Sequence, residues 1–179
     1  MSSRKIVLDI ETQKEFKEVG GKQNIEALKI SMVGVYDYET DKYRGFEEHE
    51  MDELASLLAK VSEIIGFNHV GFDLHVLKPY LNGTAIDNFK VTDIMLELQK
   101  MTGHRISLDR VAQATLGIQK SGSGLKALEY YRKGEIDKLR KYCLDDVKLT
   151  KEVYDYGLAN KSLKFQGAWG TYEVPVNFA

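Results

Sequence analysis

The sequence predicts an α/β fold, a central mixed β-sheet flanked by α-helices. Three observations carry this. Short apolar runs of strand length lie at 5–10, 29–37, 63–67 and 89–92. Between them and after them the apolar residues switch to helical spacing. The first two strands are separated from the helical part by a hairpin, so the sheet is expected to be mixed rather than purely parallel.

Residues 5–10, KIVLDI, form an apolar run ending at acidic residues and read as a buried strand. Residues 12–28 are polar with Gly20 and Gly21 in the middle, and are expected as a long loop or an irregular helix-containing excursion. In 29–37, Ile30, Met32 and Gly34 alternate with Ser31, Val33 and Val35, and a turn at 39–41 leads into a pairing segment. Leu54, Leu57, Leu58 and Val61 then mark an amphipathic helix. After the strand at 63–67, residues 72–81 read as a helix with Pro79 near its end. Ser107 is placed to cap a helix that stops at Gly117. The stretch 120–124, KSGSG, reads as a flexible loop. The last long helix is expected over about 135–156, with Ile136, Leu139, Cys143, Val147, Thr150 and Tyr154 inward. We expect one domain over 1–157, followed by a 158–179 tail docked on it through Trp169 and its neighbouring aromatics.

Composition narrows the function classes. With 179 residues, 43% apolar and 29% charged, the chain is of ordinary globular composition for a single domain. No apolar run approaches the ~20 residues of a bilayer span, so no membrane partner is expected. The N-terminus lacks a signal-peptide pattern, and a cytoplasmic location is expected. Cys143 is the only cysteine, which excludes an intrachain disulfide and a thiolate zinc site. Its place on the apolar helix stripe predicts an inert, buried thiol. The four histidines, His49, His69, His75 and His104, show no zinc spacing; for His69 and His75, close to Asp73 in sequence, surface or capping roles are expected ahead of an approach to the site. A net charge of −2 argues only mildly against nucleic acid, because bound cations would neutralise an acidic site.

The acids carry the chemical signal. Asp9 and Glu11 are two apart on the first strand and share a face at its carboxyl end, where ligands bind in open α/β sheets. Crowding two carboxylates is costly unless a cation sits between them. Taken alone, the pair equally fits a turn cap beside a solvated acid. Asp146 lies four residues after Tyr142 on the last helix, at the edge of the apolar stripe. Alone, that pair fits a helix-surface interaction better than a site. Asp73 follows Phe72 at a helix start, where an acid also favours the helix dipole, and Asn68 is placed to brace the preceding turn. The argument lies in the combination, because all four acids can converge at one edge of a sheet.

These residues occur as VLDIET around Asp9, Glu11 and Thr12, as GFNHVGFD ending at Asp73, and as YCLDDV running from Tyr142 past Asp146. The set resembles the DEDD 3′→5′ exonucleases of the ribonuclease H-like superfamily, in the tyrosine-containing subgroup. The likeness extends to stand-alone exonuclease domains and the proofreading domains of family B polymerases, and it spans 9–147. It implies a ribonuclease H-like fold and hydrolysis of single-stranded nucleic acid from a free 3′ end, DNA favoured over RNA. It implies two divalent cations, Mg²⁺ or Mn²⁺, held by hard oxygen ligands. Asp9 would bridge both, Glu11 and Asp146 would complete one shell, and Asp73 would serve the other. Tyr142 would orient the attacking water, and Asp145 would be a bystander. Secondary substrate contacts are expected from Thr12, Asn68, Phe72, Lys120 and Lys126, although taken alone Phe72 fits the core better and the two lysines a solvated loop better. A polymerase or helicase partner would fit the same reading. The alternative is a nucleic-acid-binding or protein-interaction module that kept the fold and lost catalysis. Another phosphoryl-transfer enzyme on the same fold ranks third.

Overall fold

The computed structural model describes residues 4–81, 89–119, 122 and 124–178. Five strands form the main sheet: β1 (Lys5–Thr12), β2 (Ile30–Asp37), β3 (Lys42–Phe46), β4 (Glu63–Gly66) and β5 (Lys90–Asp93). Their spatial order is β3-β2-β1-β4-β5. The β2–β3 hairpin and the β1–β2 pair are antiparallel, whereas β4 and β5 run parallel to β1. The sheet is therefore mixed, as its early hairpin predicts. β1 is the central strand, and its carboxyl end opens toward the site.

Alternation along β1 divides two cores. Ile6, Leu8 and Ile10 pack with α1 (Met51–Leu58) and with Val76 and Leu77 of α2 (Asp73–Leu77). Val7 faces the opposite way, toward Val147 and Val153 of the long helix α6 (Ile136–Asn160). Asp9 and Glu11 continue Val7's face by the two-residue period, so β1 presents them to α6. On β2, Met32 and Tyr36 belong to the α6 side and Val33 and Val35 to the other. Ile30 is an exception to the expected alternation, because it joins Val33 and Val35. The β1–β2 register slips between Glu11 and Thr12, and this bulge rotates the strand end.

α6 lies almost on the backbone of β2. A Cβ on Gly34 would stand 2.8 Å from Val147 Cγ2 and 2.9 Å from Cys143 Sγ. The glycine permits this approach, which is what carries Asp146 to the end of β1.

Several elements go beyond the sequence reading. α3 (Ile94–Thr102) follows β5 directly, with Asp93 as its N-cap and Gly103 as its left-handed stop. Ile94, Leu98 and Met101 recur at helical spacing there, a signal that the sequence reading did not use. α4 (Leu108–Leu116) has the expected Ser107 cap and Gly117 stop. α5 (Gly124–Arg132) buries only Ala127 and Leu128, too narrow a stripe to register as a period. The KSGSG segment lies largely outside the described residues. Of the two expectations for 12–28, the helix-containing excursion is the one found: it forms short 3₁₀ helices at Phe16–Val19 and Lys22–Leu28.

The final helix does not end before Gly157. It runs to Asn160 and stops at Lys161 in a left-handed conformation. Gly157 serves packing instead, since a Cβ there would meet Phe178 at 2.5 Å. Beyond it, β6 (Ser162–Gly167) and β7 (Gly170–Pro175) form an antiparallel hairpin. Leu163, Phe165, Val176 and Phe178 from this region join the α6 core. Trp169 departs from its expected docking on the body: it sits at the hairpin tip, 92% exposed. The turn projects it away from the body, and Phe165 and Leu163 anchor the hairpin instead. Among the described residues, no helix is long and apolar enough to cross a membrane.

Candidate active site

Three carboxylates converge where β1 meets α6. Ligand oxygens of Asp9, Glu11 and Asp146 all lie within 4.8 Å of one another. Glu11 and Asp146 are only 8% and 2% exposed. Like charges at this spacing in a poorly solvated place demand compensation by a cation or a shared proton. Hard oxygen donors of this kind suit Mg²⁺ or Mn²⁺ over softer metals, so the donor set fits a divalent ion.

Asp73 reaches the same cleft from α2. Its Oδ1 accepts the Ile10 backbone N–H at 3.0 Å, which ties the start of α2 to β1 between the two strand acids. It stands outside the three-acid cluster but lines the same cavity, together with Asp9, Glu11 and Asp146. The cavity holds about 560 Å³, the scale of a small-ligand pocket.

The turn before Asp73 is organised by buried Asp93, whose role the sequence reading missed. Its carboxylate accepts N–H groups from Asn68 at 2.8 Å, Val70 at 3.0 Å, Met95 at 3.1 Å and Leu96 at 3.3 Å. One side chain thus caps α3 and holds the 68–70 turn. Its signal in the sequence was an acid immediately before an apolar helix start.

His69 is also a correction: it is fully buried rather than on the surface. Its Nε2 lies 2.6 Å from the Leu8 carbonyl oxygen. Burial holds the imidazole neutral, with its pKa pushed down to about 4 despite the Leu8 carbonyl and the Asp93 charge, which act the other way. Gly66 makes room for it, since a Cβ there would fall 1.7 Å from Nε2.

Tyr142 is one helical turn before Asp146 and buried among Met32, Ala127, Leu139 and Cys143. It does not line the cleft. Cys143 is buried as expected, with Sγ 3.6 Å from the Asp9 carbonyl oxygen. Burial raises its thiol pKa well above the usual value, and the charges of Asp9, Glu11 and Asp146 push it further. Asp145 pairs with Lys141 at 2.5 Å, away from the cluster.

Thr12, Asn68 and Phe72 all line the cleft. The Thr12 hydroxyl donates to the Lys14 carbonyl at 2.9 Å. Asn68, in a left-handed conformation, accepts from Arg105 Nη2 at 2.5 Å through Oδ1. The Phe72 ring meets Phe16 edge-on at 5.9 Å, and it also packs on the α1-side core. Lys126 is not brought to the cleft; its ammonium lies 5.9 Å from the Tyr130 ring. Lys120 lies outside the described residues. The sequence reading did not single out Lys14, Phe16, Lys17 or Leu125, which complete the cleft wall. The excursion that supplies three of them is tied to α5 by Arg132, 2.6 Å from Glu18.

Residues 6–157 match the family model described as the RNase_H superfamily. The chain belongs to the RNase_H superfamily. Its mixed five-stranded sheet with flanking helices is the RNase H-like fold, in agreement with the resemblance carried by the three motifs. Two solved structures share the fold of this chain. The family B DNA polymerase of the hyperthermophilic archaeon Pyrobaculum calidifontis superposes with a TM-score of 0.68 at 19% identity, over 88% of this chain and 25% of the polymerase. An Exonuclease I superposes with a TM-score of 0.50 at 12% identity, over 89% of this chain and 42% of that one. The chain thus spans well under half the length of either. No curated protein sequence gives a significant match.

Proposed function

We propose that this RNase H-like chain is a metal-dependent 3′→5′ exonuclease of the tyrosine-containing DEDD subgroup. Its substrate is single-stranded nucleic acid, DNA favoured over RNA. The convergence of Asp9, Glu11 and Asp146 within 4.8 Å carries the reading, because clustered buried acids are costly without a cation to hold. Asp9, Glu11 and Asp146 would hold one Mg²⁺ or Mn²⁺, and Asp73 with Asp9 a second. When bound, two such ions supply a water activated for attack and neutralise charge on the leaving 3′-oxygen.

The remaining work falls to the chain's own groups. Ile10's N–H fixes one oxygen of Asp73, a residue of the cleft wall. Phe72, Phe16 and Leu125 offer apolar surface for a terminal base, and Thr12 and Asn68 polar contacts for its sugar and phosphate. A phenol with pKa near 10 is a poor base at neutral pH, so Tyr142 is assigned to orienting the attacking water. That role requires α5, which covers the ring through Ala127, to shift when a strand binds. A polymerase or helicase partner would deliver the strand.

The test is digestion of 5′-labelled single-stranded DNA and RNA with Mg²⁺, Mn²⁺ or EDTA, alongside Asp9→Ala and Tyr142→Phe. The expected result is a metal-dependent ladder shortening from the 3′ end, abolished by Asp9→Ala and weakened in kcat by Tyr142→Phe. Folded protein that binds metal and leaves both strands intact would overturn the reading in favour of a retired binding module.

A further inference from the structure

We infer that a strip running from the cleft to the β6–β7 hairpin tip is a track for single-stranded nucleic acid, ending on Trp169. It rests on the nuclease reading above and adds where the strand upstream of its 3′ end lies.

The strip is continuous by contact. It begins at Asn68 in the cleft wall, whose amide oxygen holds Arg105 Nη2 at 2.5 Å. His104, the next residue, places its ring edge-on to Phe165 at 6.4 Å. Phe165 stacks on Tyr172 at 5.5 Å, nearly parallel. Tyr172 in turn covers Gly167, where a Cβ would lie 2.4 Å from its ring. Two residues further on, Trp169 stands 92% exposed.

Charge complementarity selects the occupant. Arg4, Arg44, Arg132 and Arg140 are each paired with a carboxylate. Arg105 and Arg110 flank this strip, and among the described residues neither makes an ion pair. Arg105 spends Nη2 on Asn68 and Nε on Met95 Sδ at 3.3 Å, and Arg110 spends Nε on the Gln166 carbonyl at 2.6 Å. A guanidinium has five N–H donors in a fork suited to phosphate. Both therefore keep donors for a backbone, while the exposed rings of Tyr172 and Trp169 suit bases and buried Phe165 only supports Tyr172 from the core. Phosphate-facing cations beside an exposed aromatic are how proteins hold single strands without reading sequence.

The hairpin is held rigidly enough to present the tryptophan. Besides Arg110, the Thr115 hydroxyl donates to the Lys164 carbonyl at 2.8 Å and accepts the Lys164 N–H at 3.0 Å. The hairpin that carries Trp169 is thereby fastened to α4 through Lys164 and Gln166, while Trp169 itself stays in solvent at its tip.

Trp169 is the only tryptophan of the chain, so its emission reports the track directly. The Asp9→Asn variant, which leaves the strand intact, is titrated with fluorescein-labelled oligonucleotides of 3 and 15 nucleotides. Anisotropy reports binding anywhere, and tryptophan emission reports stacking on Trp169. The expected result is quenching by the 15-mer and none by the 3-mer. In the active enzyme, Trp169→Ala should raise KM for the 15-mer about tenfold, in line with one lost base stack. It should leave kcat and the 3-mer's KM unchanged. Arg105→Ala and Arg110→Ala should each lower the salt slope of 15-mer binding by about one phosphate contact. Binding of the 15-mer with unchanged tryptophan emission would overturn the track, leave the exonuclease reading standing, and assign the strip to a protein partner. Absence of both binding and cleavage would overturn the two together.

Discussion

The imidazole of His69 stands 2.6 Å from the carbonyl oxygen of Leu8, one residue before Asp9. A carbonyl only accepts, so Nε2 must carry the proton. The ring therefore ties the turn that leads into Asp73 to the strand that carries Asp9 and Glu11. Its Nδ1 is buried with no hydrogen-bond partner among the described residues, which keeps a second proton from being stabilised there.

This histidine should make stability fall in mild acid. Its pKa drops from the ordinary 6.5 to about 4 on folding, chiefly through burial. The unfolded chain then binds the extra proton first as pH falls. The contribution is fully present above pH 6.5 and lost as pH falls toward 4, by up to about 3 kcal/mol. Urea unfolding at pH 7.5 and at pH 4.5 checks this against His69→Leu. The variant should lose about 2 kcal/mol at pH 7.5 from the broken tie, but show a shallower acid slope. An unchanged acid slope would show that other groups set it.

Asp93 should matter to metal binding without touching metal. Asp93→Ala removes the acceptor of four backbone N–H groups and the N-cap of α3, costing about 2–4 kcal/mol. Because the 68–70 turn leads into Asp73, divalent-ion affinity measured by calorimetry should fall about tenfold. Asp93→Asn keeps one acceptor oxygen and should recover part of both. Wild-type metal affinity in the alanine variant would separate the turn from the site.

The acid cluster should cost stability without metal and repay it with metal. Relief of repulsion in Asp9→Asn should raise metal-free stability by roughly 1 kcal/mol. Adding Mg²⁺ or Mn²⁺ at about 100 times its dissociation constant should stabilise the native protein by about 2.7 kcal/mol, and the variant by far less. Thermal unfolding with and without each ion reads both. Equal shifts in the two proteins would place the ion elsewhere.

Much of this was legible in residue order. The strand at β1, the hairpin β2–β3 and the caps Ser107 and Gly117 follow from local rules, which the chain obeys over a few residues at a time. The two-residue spacing of Asp9 and Glu11 and the four-residue spacing of Tyr142 and Asp146 likewise put each pair on one face. α5 escaped because its buried stripe is only Ala127 and Leu128, too few positions to show a helix period, whereas the helical spacing of Ile94, Leu98 and Met101 in α3 was legible and not used. Lys14, Phe16 and Lys17 escaped because a polar excursion has no period, so only its tie to α5 shows that it walls the cleft.

By itself, then, the sequence determined the strands, the capped helices and the acids that belong together, since each depends on neighbours along the chain. The tertiary structure alone decided the distances between them. Gly34 lets α6 settle on β2, which brings Asp146 to Asp9 and Glu11, and Gly66 lets His69 reach β1. The same packing left Tyr142 behind α5 and Trp169 in solvent. Those outcomes turn on a single Cβ of space or on a hairpin anchored far away in sequence, and no local pattern encodes either.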